Sequence, residues 1–149
     1  MDRCALSVAY HKKGFNCAQS VLASFGDLTQ LPEKEAMALA GGFGGGIGGS
    51  HQELCGAMSG AVMVLGMLYP HTSGESMDEK KRIYKISKEF QARFQKSFGC
   101  THCGDLLASK IAVDEHLPAA QRLEVKGHCD ILIVTAVEIV EAMLAEAGV

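Results

Sequence analysis

The chain predicts an all-α fold: a single domain over residues 1–149, a multi-helix bundle around a buried central helix, with one Gly-rich loop. Three observations predict it. Apolar residues recur at helical spacing, as in Cys17, Val21, Leu22 and Phe25, and again in Ile83, Ile86, Phe90 and Phe94. Helix-start signals precede those stretches. No stretch keeps the apolar–polar alternation of a half-buried strand. With 149 residues the chain buries about 70% of its unfolded surface, so it needs no disulfide framework to fold.

Each element follows in order. A short helix is expected over Asp2 to Lys12, without a cap signal and ended by Gly14; Cys4 on it reads as a packing residue. Asn16 suits the N-cap of a second helix. Pro32 fits the first position of a third, with Glu33 and Glu35 in its positively polarised first turn. Gly41-Gly42-Phe43-Gly44-Gly45-Gly46-Ile47-Gly48-Gly49 is then too flexible to be helix or strand by itself. Ser50-His51-Gln52-Glu53 has the form of a capping box, which predicts a helix from Glu53 to Leu68. That helix is apolar on nearly every face and belongs in the middle of the core. Gly56 and Gly60, four residues apart, let another backbone approach it, and Pro70 ends it.

Ser76-Met77-Asp78-Glu79 repeats the capping-box form and opens a long amphipathic helix. Phe90 and Phe94 lie on its buried stripe, Lys80, Lys81, Lys88 and Arg93 on its wet side, and Gly99 stops it. Short helices are expected after Thr101 and over Pro118 to Val125. The last runs roughly from His128 to Ala147, with Ile131, Leu132, Ile139 and Val140 on a dense apolar face. Ile131 to Val134 has strand propensity, but the helical pattern continues past it for several turns.

Composition excludes several function classes. A net charge of −3 supplies no basic footprint, and 6% aromatics without tryptophan offer no base-stacking platform, so nucleic acid is not expected as a partner. The first residues lack the uninterrupted apolar core of a signal peptide. The longest near-apolar run, Leu54 to Tyr69, falls short of the ~20 residues a bilayer span needs, so the protein is not expected to span a membrane. The expected location is cytoplasmic and reducing, where cysteine clusters signify metal or catalysis more often than structural bridges.

The six cysteines carry the functional signal. Cys17, Cys55, Cys103 and Cys129 fall at or near four predicted helix starts, where about half a positive charge favours thiolate over thiol. Thiolates attack disulfides, become oxidised, or bind metals. Cys100-Thr101-His102-Cys103 is a C-x-x-C, but no βαβ pattern surrounds it. Haem attachment needs histidine after the second cysteine, and Gly104 stands there instead. A metal half-site remains open. His51 lies four residues before Cys55, on the same face if the capping box holds. His102 and His128 directly precede Cys103 and Cys129, so on a helix they point apart from them and tune the local field.

Nine of the 17 glycines lie between positions 41 and 60, a local device rather than a general bias. Gly44-x-Gly46-x-x-Gly49 superficially matches a dinucleotide fingerprint, which requires a preceding strand; here a helix precedes it. Two roles stay open for Gly44, Gly45, Gly46 and Gly48. They form a cofactor- or anion-binding nest of bare backbone, or they let the chain pass tightly across the core.

Asn16-Cys17-Ala18-Gln19-Ser20-Val21-Leu22, Gly44-Gly45-Gly46-Ile47-Gly48 and Cys55-Gly56-Ala57-Met58-Ser59-Gly60 together resemble the C_GCAxxG_C_C family, redox-active proteins named for a C-G-A-x-x-G motif and four cysteines. Phe98-Gly99-x-x-x-Cys103-x-x-Leu106-Leu107 and Cys129 with its following helix continue the resemblance over nearly the whole chain. Position by position, it maps the family cysteines onto Cys17, Cys55, Cys103 and Cys129 and leaves Cys4 and Cys100 as additions of this chain. It implies no established substrate. It does imply a functional link to a transporter, since family members commonly occur at transporter loci.

Three functions compete. The first is a redox-active protein, a thiol–disulfide oxidoreductase or electron-transfer protein, whose catalytic cysteines Cys17, Cys55, Cys103 and Cys129 converge. The second is a metal-binding protein holding Zn or an Fe–S cluster through the same four thiolates. The third is a helical scaffold with incidental thiols. A redox partner or a small molecule, and a second copy in a homodimer, are the partners left open. Within the redox reading Cys103 is the expected nucleophile, with Thr101 capping its helix and His102 as a positive neighbour. Cys55, in an apolar helix, is the expected resolving or ligand sulfur. The glycine segment is expected to border the site, with Ser50 capping the Glu53 helix.

Overall fold

Side-chain caps open three of the nine α-helices in the computed structural model, which describes residues 1–149 and contains no strand. Asp2 caps α1 (Arg3–Lys12) by accepting from the Ala5 N–H at 3.1 Å, so it stands before the helix rather than inside it as expected. Asn16 caps α2 (Cys17–Ser24) through a reciprocal box: its side chain accepts from the Gln19 N–H, and Gln19 accepts from the Asn16 N–H, both at 2.9 Å. The turn α3 (Gly26–Thr29) follows, then α4 (Glu33–Ala40), with Pro32 at the N-cap, one residue before its expected place.

A 3-10 turn, Gly41–Phe43, leads from α4 into the glycine loop, and α5 (Gly56–Leu68) follows the loop. The expected capping box at Ser50 does not form. The helix begins three residues later than Glu53, with Cys55 at the N-cap. Ser50 instead donates to the Gly46 carbonyl at 2.7 Å and accepts from the Gln52 N–H at 3.3 Å, so it ties the loop to itself. The physical reason is a competing pairing. The Cys55 N–H donates to the Thr101 carbonyl and the Cys103 N–H to the Glu53 carbonyl, both at 2.9 Å, around an isolated antiparallel bridge between Leu54 and His102. Extended backbone at 53–55 is incompatible with a helical turn there.

The second box fares better. Ser76 caps α6 (Met77–Phe98) by accepting from the Glu79 N–H at 3.2 Å. Gly99 ends it in the left-handed conformation, φ 80°, with its N–H donating to Gln95 O at 2.7 Å. The remaining helices are α7 (Cys103–Ala108), α8 (Pro118–Arg122) and α9 (His128–Glu146).

The core lies where α5 packs against α2, α6 and α9. Val21 and Leu22 of α2, Met58 and Leu65 of α5, Phe90 and Phe94 of α6, and Ile133 and Val134 of α9 are wholly buried. Each such side chain contributes about 1.5–3 kcal/mol. Gly60 sets the α2–α5 separation: a Cβ there would lie 2.6 Å from the Ala18 carbonyl oxygen. No helix is long and apolar enough to cross a membrane.

Candidate functional site: a four-thiol cavity

Four segments distant in sequence present a cysteine to one cavity of about 140 Å³: Cys17 at the start of α2, Cys55 before α5, Cys103 at the start of α7, and Cys129 near the start of α9. Each arrives by a different local device. Asn16 and its capping box place Cys17 as the first helical residue. The Leu54–His102 bridge sets Cys55 and Cys103 on paired backbones. Gly127 at the α9 N-cap places Cys129 one residue into that helix.

Close packing between these segments depends on missing side chains. A Cβ on Gly56 would lie 2.3 Å from Cys17 Sγ, and one on Gly46 would lie 2.7 Å from Cys103 Cβ. One on Gly44 would meet the Asn16 side chain at 2.3 Å. The loop therefore presses its backbone onto the cysteine site, as expected, and Gly45 lines the cavity directly. Gly48 faces open space, and its N–H donates back to Gly42 O at 2.8 Å. The tight-passage role is thus visible at Gly44, Gly46 and Gly56. Ile47 and His51, both at positive φ (69° and 64°), continue the left-handed course of the glycines around them.

Two histidines complete the cavity. His51 Nδ1 lies 3.7 Å from Cys103 Sγ. This pairing differs from the expected one with Cys55, because residues 50–53 are not helical and the bridge brings Cys103 across instead. The His51 N–H, donating to Gly45 O at 2.8 Å, anchors the residue to the loop. His128 also lines the cavity; its Nε2 is buried and has no hydrogen-bond partner. Burial pulls its pKa down, which favours the neutral ring. His102, by contrast, is exposed and stands at the N-cap of α7 without a side-chain cap bond. Thr101 therefore does not cap that helix; its Oγ1 faces His102 Nδ1 at 3.4 Å.

The electrostatics agree with the expectation that apolar surroundings raise Cys55, and they correct the helix-start expectation at Cys103 and Cys129. Burial pushes the Cys55 thiol up to about 12; the negative charge of Cys17 adds to this, and the Ala57 and Met58 amides oppose it. Burial likewise raises Cys103, with Cys17 as the second cause, and raises Cys129, with Cys17 and Cys103 behind it. Removal from water outweighs the helix-start field at these three thiols, and α7, with six residues, has little field to offer. Each thiolate formed opposes the next.

The other two cysteines stand apart. Cys4, 2% exposed, donates to the Val134 carbonyl at 3.7 Å and is pushed up to about 12 by burial. Cys100 is half-buried outside the cavity, its Sγ directed to Phe98 O at 3.9 Å, so the C-x-x-C is split between the site and its surroundings. All six cysteines are free thiols. The four sulfurs suit zinc or iron by chemistry, yet no group of three or more His, Cys, Asp or Glu side chains has an arrangement that would hold a metal ion.

No curated protein and no solved structure matches the chain. One family model does, under the description "Putative redox-active protein (C_GCAxxG_C_C)", over residues 15–143. That span takes in all four cavity cysteines and the glycine loop and omits Cys4. Because the match covers all but the first turns and the last few residues, the chain belongs to the C_GCAxxG_C_C family.

Proposed function

We propose that this protein is a thiol–disulfide redox protein whose site is the four-thiol cavity. One observation carries the reading: four thiols from four separate segments face one cavity, and one of them, Cys103, has an imidazole nitrogen at 3.7 Å. His51 Nδ1 takes the Cys103 proton. The thiolate then attacks one sulfur of an external disulfide, forming a mixed disulfide and releasing the other half as a thiolate, which is protonated. Cys17 resolves the intermediate. Its thiolate attacks Cys103 Sγ, forms the Cys17–Cys103 bond, and releases the second half of the oxidant. Two electrons and two protons leave the protein, and one disulfide becomes two thiols. Cys17 suits this role because it lines the same cavity as Cys103, at the start of α2. Cys55, 3% exposed and pushed up to about 12, is too protonated to attack first. The chemistry belongs in a reducing compartment such as the cytoplasm, where the thiol form is regenerated.

Anaerobically purified protein, assayed for metal and free thiols and then treated with a disulfide, tests the reading. The expected result is the loss of two thiols and a Cys17–Cys103 cross-link by peptide mapping. Stoichiometric zinc or iron, with all four cysteines protected from alkylation, would favour the metal-holding alternative. A His51→Ala variant is expected to slow Cys103 alkylation at pH 7 roughly tenfold or more, the loss of a positioned base.

A further inference from the structure

The proposed redox site also restricts what it can oxidise or reduce, through its size and its uncharged lining. Its volume is about 140 Å³. Pockets that take drug-sized ligands run from about 300 to 1,000 Å³, whereas an engineered apolar cavity of about 150 Å³ takes benzene. No Lys, Arg, Asp or Glu side chain lines it; Leu107, Leu132, the glycines and the sulfurs make the walls mostly apolar. A carboxylate or ammonium group on a ligand would be desolvated there without a charged partner.

Resting on the redox reading above, we infer that the cavity takes a compact, uncharged low-molecular-weight disulfide whose sulfurs lie among the four thiols. Leu107, half exposed at the cavity wall, sits where the ligand enters. The exchange is the one already written, with the small disulfide as oxidant: its S–S bond breaks, the Cys17–Cys103 bond forms, and two small thiols leave. Glutathione disulfide and cystine carry charged groups that the cavity cannot pair, and the first is far too large to enter.

The test measures rates of thiol loss with 2-hydroxyethyl disulfide, diethyl disulfide and glutathione disulfide, each for the folded protein and for the same chain in denaturant. The folded-to-denatured ratio removes each reagent's intrinsic reactivity. The ratio for 2-hydroxyethyl disulfide is expected to exceed that for glutathione disulfide at least tenfold. Leu107→Trp should lower the former several-fold without changing the denatured rate. Diethyl disulfide, equally small and uncharged, is expected to share the preference over glutathione disulfide. Equal ratios for the small and large reagents, or a larger one for glutathione disulfide, overturn this inference and leave the redox reading standing. A folded protein that loses no thiol to any reagent, while the denatured chain does, overturns the redox reading beneath it.

Discussion

α5 and α6 follow one another in the chain and pack against each other, yet different physics holds them. α6 begins at a serine cap, ends at a left-handed glycine, and buries Phe90 and Phe94 on one stripe while its lysines stay wet. α5 has no side-chain cap at its start, is buried along most of its length, and reaches α2 only because Gly60 has no side chain. The serine motifs show the difference most directly. Ser76-x-x-Glu79 caps a helix, although the Glu79 carboxylate accepts from the Ser73 N–H at 3.2 Å rather than from Ser76. Ser50-x-x-Glu53, with the same spacing, is overridden by the bridge that pairs 53–55 with 101–103. A local signal wins where nothing distant competes for the same backbone. At the cysteine site something distant does compete, and the reward is a cavity.

Predictions can break or sharpen this contrast. The largest effect is expected for Gly60→Ala, whose new methyl would lie 2.6 Å from the Ala18 carbonyl oxygen, a backbone atom that cannot rotate away. A loss of about 3 kcal/mol, at the upper end for overpacking, should appear in urea denaturation. An unchanged midpoint would mean that α2 and α5 are not held at this distance.

Raising the pH comes next. Cys55 at the head of α5, like Cys4, is pushed up to about 12 by burial, so between the ordinary thiol range and that value the unfolded chain has released protons that the folded one keeps. Stability therefore falls as pH rises through that window and is full below it. Cys4→Ala should flatten the decline in a pH series of denaturation midpoints. The α6 cap supplies no such dependence.

Ser76→Ala is expected to cost about 1 kcal/mol by removing the α6 cap. Ser50→Ala should cost less, because Ser50 caps nothing; its effect should show in Cys103 alkylation rate, through the loop that holds His51. Equal costs would restore the capping box at Ser50. The smallest change has the opposite sign. A Cβ on Gly66, inside α5, meets no atom within 4 Å, so Gly66→Ala should stabilise the protein by about 0.5–1 kcal/mol.

The amino-acid sequence determined by itself the helical class, α6 with both ends, the α2 cap at Asn16, and the four cysteines that share the cavity. Those are properties of period, cap and motif, readable from residues a few positions apart. Only the tertiary structure decided where α5 begins and that His51 lies beside Cys103 rather than Cys55. It also decided that Cys103 and Cys129 are raised rather than lowered. The Leu54–His102 bridge joins residues 48 positions apart, and no local pattern announces such a pairing. Likewise, helix-start fields depend on the few residues of a turn, whereas desolvation depends on everything packed around the sulfur. At Cys55 the second effect is the larger one.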